Sequence, residues 1–420
     1  MRILKCLLVI GFISRAVAAE SSATPPAPIN ASMADAFVDT IGVNIHLGYN
    51  DTVYKEYEKL LKPRLIELGL RHIRDGVRAN RKDVLDKLND LAKSGIKSNL
   101  LVRADEAVAI AKACPDSVES FEGRNEPDGK PGWEAQILIE QKALYEAVKG
   151  DEATKKFPVL VSPMANTRDS ALKLAKAGSV LEFLDYGNTH SYPGGMNPIS
   201  GGWGISLDKA IENERAVSGQ KPIICTETGY HNRLEQKGHP GVSELAAAKY
   251  QPRLLLTYFQ KGFTRCYLYE FFDLKPDPDN TDIERHFGQL HNDGSPKPAF
   301  IAVKNMIALL KDPGPAFEPK PLDFSLNDSS KTLRRELFQK RDGRYYLALW
   351  QEVVSYDTKE KKDLEVAPKE VTLKLGVPVE KAVWYTPSSS ADAKQTWEKT
   401  GSVTLKVTDE VSFVELTPTK

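Results

Sequence analysis

The chain has 420 residues, 41% of them hydrophobic, which is enough for one large and one smaller domain with separate cores and excludes a disordered protein. Lys plus Arg and Asp plus Glu each number 57, so no broad basic surface speaks for nucleic acid and no acidic tail is present. A neutral or weakly charged small molecule or polymer is the expected partner.

The first residues, MRILKCLLVIGFISRAVAAE, carry Arg2 and Lys5, then an apolar run from Cys6 to Ile13, then the small residues Ala16, Val17 and Ala18. This is the pattern of a secretory signal over 1–18, too short for a membrane span, so a secreted or periplasmic protein is expected. Losing Arg2, Lys5 and Arg15 takes the 57 positive charges to 54 against 57 negative, a formal charge of −3. No other segment is apolar enough to span a bilayer. SSATPPAPINAS reads as a flexible tether, completing 19–35. Cys114, Cys225 and Cys266 remain, an odd number without CxxC spacing, which predicts buried hydrophobes rather than a disulfide framework or a structural zinc site.

From residue 36 strand-like runs alternate with helical patterns. The predicted strands are 39–46 (DTIGVNIH), 70–76 (LRHIRDG), 97–104 (KSNLLVRA), 118–127 (VESFEGRNEP), 157–166 (FPVLVSPMAN), 184–193 (LDYGNTHSYP), 221–230 (KPIICTETGY) and 265–274 (RCYLYEFFDL). Between them YKEYEKLLKPRLIELG, RKDVLDKLNDLAKSG, EAQILIEQKALYEAVKG and ELAAAKYQPRLLLTYFQKG have a 3.6-residue period, several ending on a glycine stop. Eight such units predict an α/β fold, a (β/α)8 TIM barrel over 36–312. No GxGxxG or GxxxxGK[ST] turn occurs at a strand-to-helix junction, which argues against a nucleotide-binding sheet. After the Pro-rich DPGPAFEPKP, alternating runs such as GRYYLALWQEV and SVTLKVTDEVSFVELTP predict a small C-terminal antiparallel β-sandwich over 313–420.

Catalytic groups of such barrels stand at the C-terminal ends of the strands. Strand two ends in Arg74-Asp75, strand four in Asn125-Glu126, strand six in His190-Ser191-Tyr192, strand seven in Glu227 and strand eight in Glu270-Phe271-Phe272-Asp273. Carboxyls on strands four and seven face each other across the mouth, where they can stand about 5 Å apart, the separation of a retaining glycosidase. Trp203 in the loop SGGWG offers either a sugar-stacking face or a hydrophobic anchor. Asn44 and His46 on the first strand either line the site or are satisfied core polars, and Glu270 suits either a substrate contact or a structural hydrogen bond.

The NEP motif at 125–127, the His-x-Tyr at 190–192, the TETGY segment around Glu227 and the arginine of HIRDG resemble clan A of the glycoside hydrolases, which includes families 5, 39 and 79. The resemblance covers residues 36–312, including the ending FGQLHNDGSPKPAFIAVKNM. It implies that Glu126 is the general acid and base, with Asn125 bonding the sugar 2-hydroxyl. It implies that Glu227 is the nucleophile, held ionised by Arg74 and Tyr192, while His190 supports the acid or the sugar. Tyr230 and Phe271 join Asn44, His46, Trp203 and Glu270 as expected substrate contacts. Two positions depart from the pattern. Strand three ends in Val102-Arg103-Ala104 without the histidine often found in family 5, and strand eight lacks the usual tryptophan, which Phe271 or Phe272 would replace.

The expected activity is therefore hydrolysis of an oligo- or polysaccharide by double displacement, by a monomer without metal or cofactor. A transglycosylase would use the same covalent intermediate. A carbohydrate-binding barrel without turnover would normally have lost one of the two glutamates, and both are present.

Overall fold

A computed structural model describes residues 28–419; the signal-like 1–18 and the first part of the predicted tether lie outside the described residues. Eight parallel strands form the barrel: β1 (Ile41–Asn44), β2 (His72–Gly76), β3 (Lys97–Leu101), β4 (Val118–Glu122), β5 (Val159–Leu160), β6 (Gly187–His190), β7 (Ile223–Thr228) and β8 (Arg265–Leu268). Neighbours in the chain are neighbours in the sheet, and β8 pairs with β1 through Gly42 and Tyr267. A parallel bridge between Leu160 and Tyr186 closes the ring between β5 and β6.

All eight predicted strands are present, but several ladders end early. β5 keeps two residues because Pro158 and Pro163 flank it and have no N–H for a neighbour. β4 stops at Glu122, four residues short of Glu126, so NEP lies beyond the strand and not at its end. Glu126 itself adopts a left-handed backbone, φ 42°, and Pro127 opens a single 3-10 turn, Pro127–Gly129. Asp128 in that turn accepts from the amides of Ala165 and Asn166 at 3.0 Å each, tying the β4 loop to the β5 loop.

Helices cover the ring with their apolar faces inward. Ser206 and Ser243 cap Leu207–Ser218 and Glu244–Gln260 by accepting from amides in the first turn. Among the described residues no helix is long and apolar enough to cross a membrane.

The C-terminal sheet comprises β9 (Phe324–Leu326), β10 (Leu333–Gln339), β11 (Tyr345–Gln351), β12 (Lys369–Tyr385), β13 (Ala393–Val407) and β14 (Ser412–Pro418), in the order β10-β11-β14-β12-β9 with β13 on β12. Bulges bend the long strands β12 and β13, and the sheet encloses a core of its own that includes Leu347, Val371, Leu373, Leu405 and Leu416. One expectation is corrected here. Residues 28–33 are not a free tether: Ile29 exchanges two backbone hydrogen bonds with Leu322, and Ser32–Met33 pairs in parallel with β10. Ile29 and Ala31 pack against the C-terminal core, which supplies an apolar reason for order that the proline-rich composition concealed.

Every residue of β11 is buried. Leu347 and Leu349 face the C-terminal core, while Tyr346, Ala348 and Trp350 belong to the core of the barrel. At this junction Arg253, fully buried on helix Glu244–Gln260, meets the Glu352 carboxylate and donates to Ser355 Oγ at 3.0 Å and Val353 O at 2.8 Å. Trp350 Nε1 donates to the other Glu352 oxygen at 2.8 Å. Removing one member of a buried ion pair strands the other charge, so Arg253→Ala is expected to lose about 3–5 kcal/mol in urea unfolding. The double variant Arg253→Met/Glu352→Leu should recover most of that loss. A midpoint unchanged in Arg253→Ala would show that the pair does not hold the domains together.

Candidate active site

The upper barrel interior is polar where an ordinary barrel is aliphatic, and its centre is Arg74 at the end of β2. All five of its N–H groups are used. Nε and Nη2 donate to the two oxygens of Glu122 at 3.0 and 2.6 Å. Nη2 also donates to Asn125 Oδ1 at 2.6 Å, and Nη1 donates to Asn44 Oδ1 at 2.9 Å and to Glu227 Oε1 at 2.6 Å. Burial disfavours the guanidinium charge, but Glu122 and Glu227 outweigh it and push the Arg74 pKa further up.

Glu227 stands on β7 with its side chain 9% exposed. Its second oxygen accepts from the Tyr192 hydroxyl at 2.7 Å. Burial alone would raise its pKa; the charges of His190 and Arg74 and the Tyr192 hydrogen bond reverse this and hold the carboxyl below the usual glutamate range.

Glu126 is different. Its side chain is one-third exposed, at 34%, and its Oε1 lies 2.7 Å from His190 Nδ1. A short chain of hydrogen bonds beneath His190 fixes what that contact holds. Asn188 Nδ2 donates to Val161 O, so its Oδ1 is an acceptor, and it takes the Thr226 hydroxyl proton at 2.8 Å. With that proton used, Thr226 Oγ1 must accept from His190 Nε2 at 3.0 Å. A neutral His190 then offers a bare Nδ1, so the short contact to Glu126 requires one further proton, on Nδ1 or on the carboxyl.

One oxygen of Glu126, one of Glu227 and a ring nitrogen of His190 all lie within 4.8 Å of one another. The trio has the spacing of metal ligands. Both oxygens of Glu227 are already bonded, one of them to the Arg74 cation, so the arrangement suits proton handling and carboxylate chemistry better than a cation.

The pair opens on two cavities that meet at Asn125 and Glu126. One, about 900 Å³, is lined by Glu227, Tyr192, Trp203, Tyr269, Phe287 and His239. The other, about 980 Å³, has an aliphatic floor including Val102 and Leu144 and a rim of Arg78, Arg81, Arg103 and Arg124. Trp203 is 54% exposed, and its indole N–H donates to Ala165 O at 2.7 Å, which fixes the ring and leaves a face to the cleft. Its neighbour Gly202 (φ 76°) presses against the Tyr192 carbonyl, where an added Cβ would come within 2.5 Å.

The predicted residues Arg74, Asn125, Glu126, His190, Tyr192 and Glu227 thus converge, and Trp203 joins them on the cleft. Asn125 spends its carbonyl on Arg74, and its amide donates to no partner among the described residues. The other five expected substrate contacts line neither cavity. Asn44 is buried and holds Arg74, donating from its own amide to Thr226 O at 3.0 Å. His46 stacks on Tyr49 and lies 3.0 Å from Glu270. Glu270 is fully buried and accepts from the Tyr54 hydroxyl at 3.0 Å; burial raises it to about 7 against the pull of His46 and Tyr54. Phe271 is wholly in the core beside Phe272 and Phe300, and Tyr230 is buried with its hydroxyl on Met196 O.

Sequence reasoning missed Glu122, Asn188 and Thr226 beneath the pair, and Tyr269, His239 and Phe287 around the cleft. Strand alternation carried a signal for two of them: Glu122 ends the β4 ladder, and Asn188 stands two before His190 on the same face.

No protein-family profile matches this chain, and no curated protein sequence does. Solved structures do resemble it. A family 39 glycoside hydrolase from the gut symbiont Bacteroides cellulosilyticus WH2 superposes with a TM-score of 0.63 at 16% identity, over 92% of this chain and 82% of that one. A glucosidase from Croceicoccus marinus gives 0.63 at 9% identity, over 94% and 97%. An endo-β1,6-glucanase gives 0.54 at 12% identity, over 94% and 93%. At such identities the likeness establishes a shared fold, and it extends through the C-terminal domain.

The Glu227 environment is testable without any substrate. In carbon-13 NMR of glutamate-labelled protein, the Glu227 carboxyl should titrate below ordinary glutamate. Removing a group that favours the charged form raises a pKa, so the midpoint should move up in Tyr192→Phe and again in Arg74→Met. Midpoints that stay in place would deny these groups the control assigned to them.

Proposed function

We propose that the protein is a secreted retaining glycoside hydrolase that cleaves an oligo- or polysaccharide by double displacement. The observation that carries this reading is the approach of the two carboxyls, with oxygens within 4.8 Å, in opposite environments. Retaining glycosidases hold their carboxyls about 5–5.5 Å apart and inverting ones about 6.5–9.5 Å, leaving space for a water.

In the first step a Glu227 oxygen attacks the anomeric carbon while Glu126 delivers its proton to the departing glycosidic oxygen. The C–O bond breaks, and a glycosyl ester forms on Glu227. In the second step Glu126, now the base, takes a proton from water, whose oxygen displaces Glu227 and restores both carboxyls. Arg74 and Tyr192 keep Glu227 charged for attack and receive the charge again when it leaves. The shared proton of Glu126 and His190 is the one the leaving oxygen needs. This chemistry calls on no metal or cofactor. Cavities on both sides of Glu126 support a chain as substrate, and the overall likeness to glycoside hydrolases supports the reaction class. The signal-like start of the sequence supports secretion.

Against a panel of aryl glycosides and polysaccharides, Glu227→Ala and Glu126→Ala should each lower the rate about 10³-fold or more while the fold persists. Azide should rescue Glu227→Ala to an inverted glycosyl azide and Glu126→Ala to a retained one; the opposite products would exchange the two roles. Proton NMR of the first wild-type product, before mutarotation, should show retained configuration. An inverted product would mean that a water stands between Glu227 and the sugar.

A further inference from the structure

The hairpin formed by Tyr356–Asp357 and Lys362–Asp363 belongs to the C-terminal domain in sequence, yet its tip reaches the barrel mouth. Resting on the glycosidase reading above, we infer that this hairpin is an end wall of the substrate cleft and that Thr358 sets how long a sugar chain the aromatic cavity accepts.

Thr358 lines that cavity together with Gly194, Gly195, His239 and Pro240. The fit is close: a Cβ on Gly195 would stand 2.1 Å from the Thr358 methyl and 3.2 Å from Pro240. A bare Cα at 195 thus lets the hairpin tip lie against the loop that also carries Trp203. The Thr358 side chain is partly exposed and its hydroxyl is free of partners among the described residues, so a sugar hydroxyl can meet it.

The wall is held at both ends. At the tip, Asp357 Oδ1 accepts from the amides of Lys359 and Glu360 at 2.9 and 3.0 Å, which shapes the turn. Lys361 pairs with Glu235 of the β7 loop, and Asp363 accepts from Ser243, the cap of helix Glu244–Gln260. At the root, the Ser355 amide donates to the Tyr250 hydroxyl at 2.7 Å, and the Tyr250 ring stacks on Tyr230 with centroids 5.0 Å apart. The Tyr230 hydroxyl donates to Met196 O, in the loop after β6. A hairpin fixed by these contacts is a rigid boundary, and rigid boundaries discriminate by length. The second cavity, beyond Glu126, does not touch it.

The test uses the full-length protein, the shortest aryl glycoside it hydrolyses and a ladder of oligosaccharides of the same sugar. Thr358→Trp fills the end of the cavity. It should leave kcat/KM for the aryl glycoside within about twofold and lower it about tenfold or more for the longest oligomers, mainly through KM. Thr358→Ala, a smaller change, should shift preference toward the longer oligomers. Unchanged length preference in both variants, or an equal loss on every substrate, would overturn the assignment. A wild-type protein silent on every glycoside would instead sink the glycosidase reading. The wall would then be judged by calorimetric titration of the same oligomers, where Thr358→Trp must still weaken the longest most; failure to do so, or no binding at all, overturns it.

Discussion

The structure of the mouth depends on one guanidinium between two buried carboxylates. Arg74 brings five donors in a plane, two for the carboxylate of Glu122 on β4 and one each for Glu227 on β7, Asn44 on β1 and Asn125 in the β4 loop. A lysine could supply the charge but not the geometry, because its ammonium has three donors at one point and no fork. The arrangement makes register a chemical requirement, since a one-residue slip would turn Arg74 out of the interior. The observed pairing of Asn44 with Arg74 and of Arg74 with Asn99 keeps all three side chains at one level. Asn99 in turn donates to Glu122 at 2.6 Å, so the second carboxylate is satisfied as well. Charge and hydrogen bonds are therefore in place before any ligand arrives, which is what electrostatic preorganisation requires.

This constraint explains why Glu126 sits outside the ladder. Glu122 and Glu126 are four residues apart, so in a continuous strand both would face inward, with Glu126 about 13 Å further along the axis. The break after Glu122, the left-handed residue at 126 and the turn at Pro127 fold the chain back over the mouth instead. A non-glycine residue in that conformation costs about 1–2 kcal/mol. Asp128, holding two amides of the β5 loop, and His190, holding the carboxyl, offset it. One glutamate is thereby buried against the Arg74 cation, and the other is left partly open with His190 at its carboxyl.

Strand count and the polar residues at strand ends were legible in the sequence because both follow from short-range rules. Eight apolar runs at regular spacing demand parallel pairing, and residues at the C-terminal ends must meet if the sheet closes. Several errors share a physical cause: the ladders end before the predicted strands do. Tyr267 faces the interior and Tyr269 reaches the cleft, as alternation requires, but pairing in β8 has stopped at Leu268. Beyond it the chain turns, and Phe271 falls into the core where a continued strand would have carried it to the cleft. Tyr230 is a different case: three residues after the inward Glu227, alternation points it outward, and it stacks on Tyr250 of the covering helix. Asn44 was legible as polar and inward, but whether its amide met a ligand or Arg74 depended on a contact thirty residues away. The place of Thr358 depends on packing more than 150 residues distant in sequence from the loop it touches, and no local pattern reports that.

The C-terminal domain follows from the same closure problem. A barrel must join its first strand to its last, and here both approaches are pinned on one outside sheet. Ser32–Met33 pairs with β10 immediately before the first helical turn, Ala34–Asp39, and the chain leaving the last helix, Pro298–Leu310, returns to the same strand's end, where Arg341 grips Asp312. Asp35 joins the two paths, accepting from the Asp312 amide at 2.8 Å and from Arg71 beside β2. With β11 buried between two cores, separating the domains would expose Tyr346, Ala348 and Trp350 on one side and Phe37 and Phe259 on the other. Phe37 lies on the helical turn that leads into β1, the strand that pairs with β8 and carries Asn44, one of the acceptors that orient Arg74. The second domain therefore meets the barrel at two places, along the buried face of β11 and at the hairpin whose Thr358 lines the cleft.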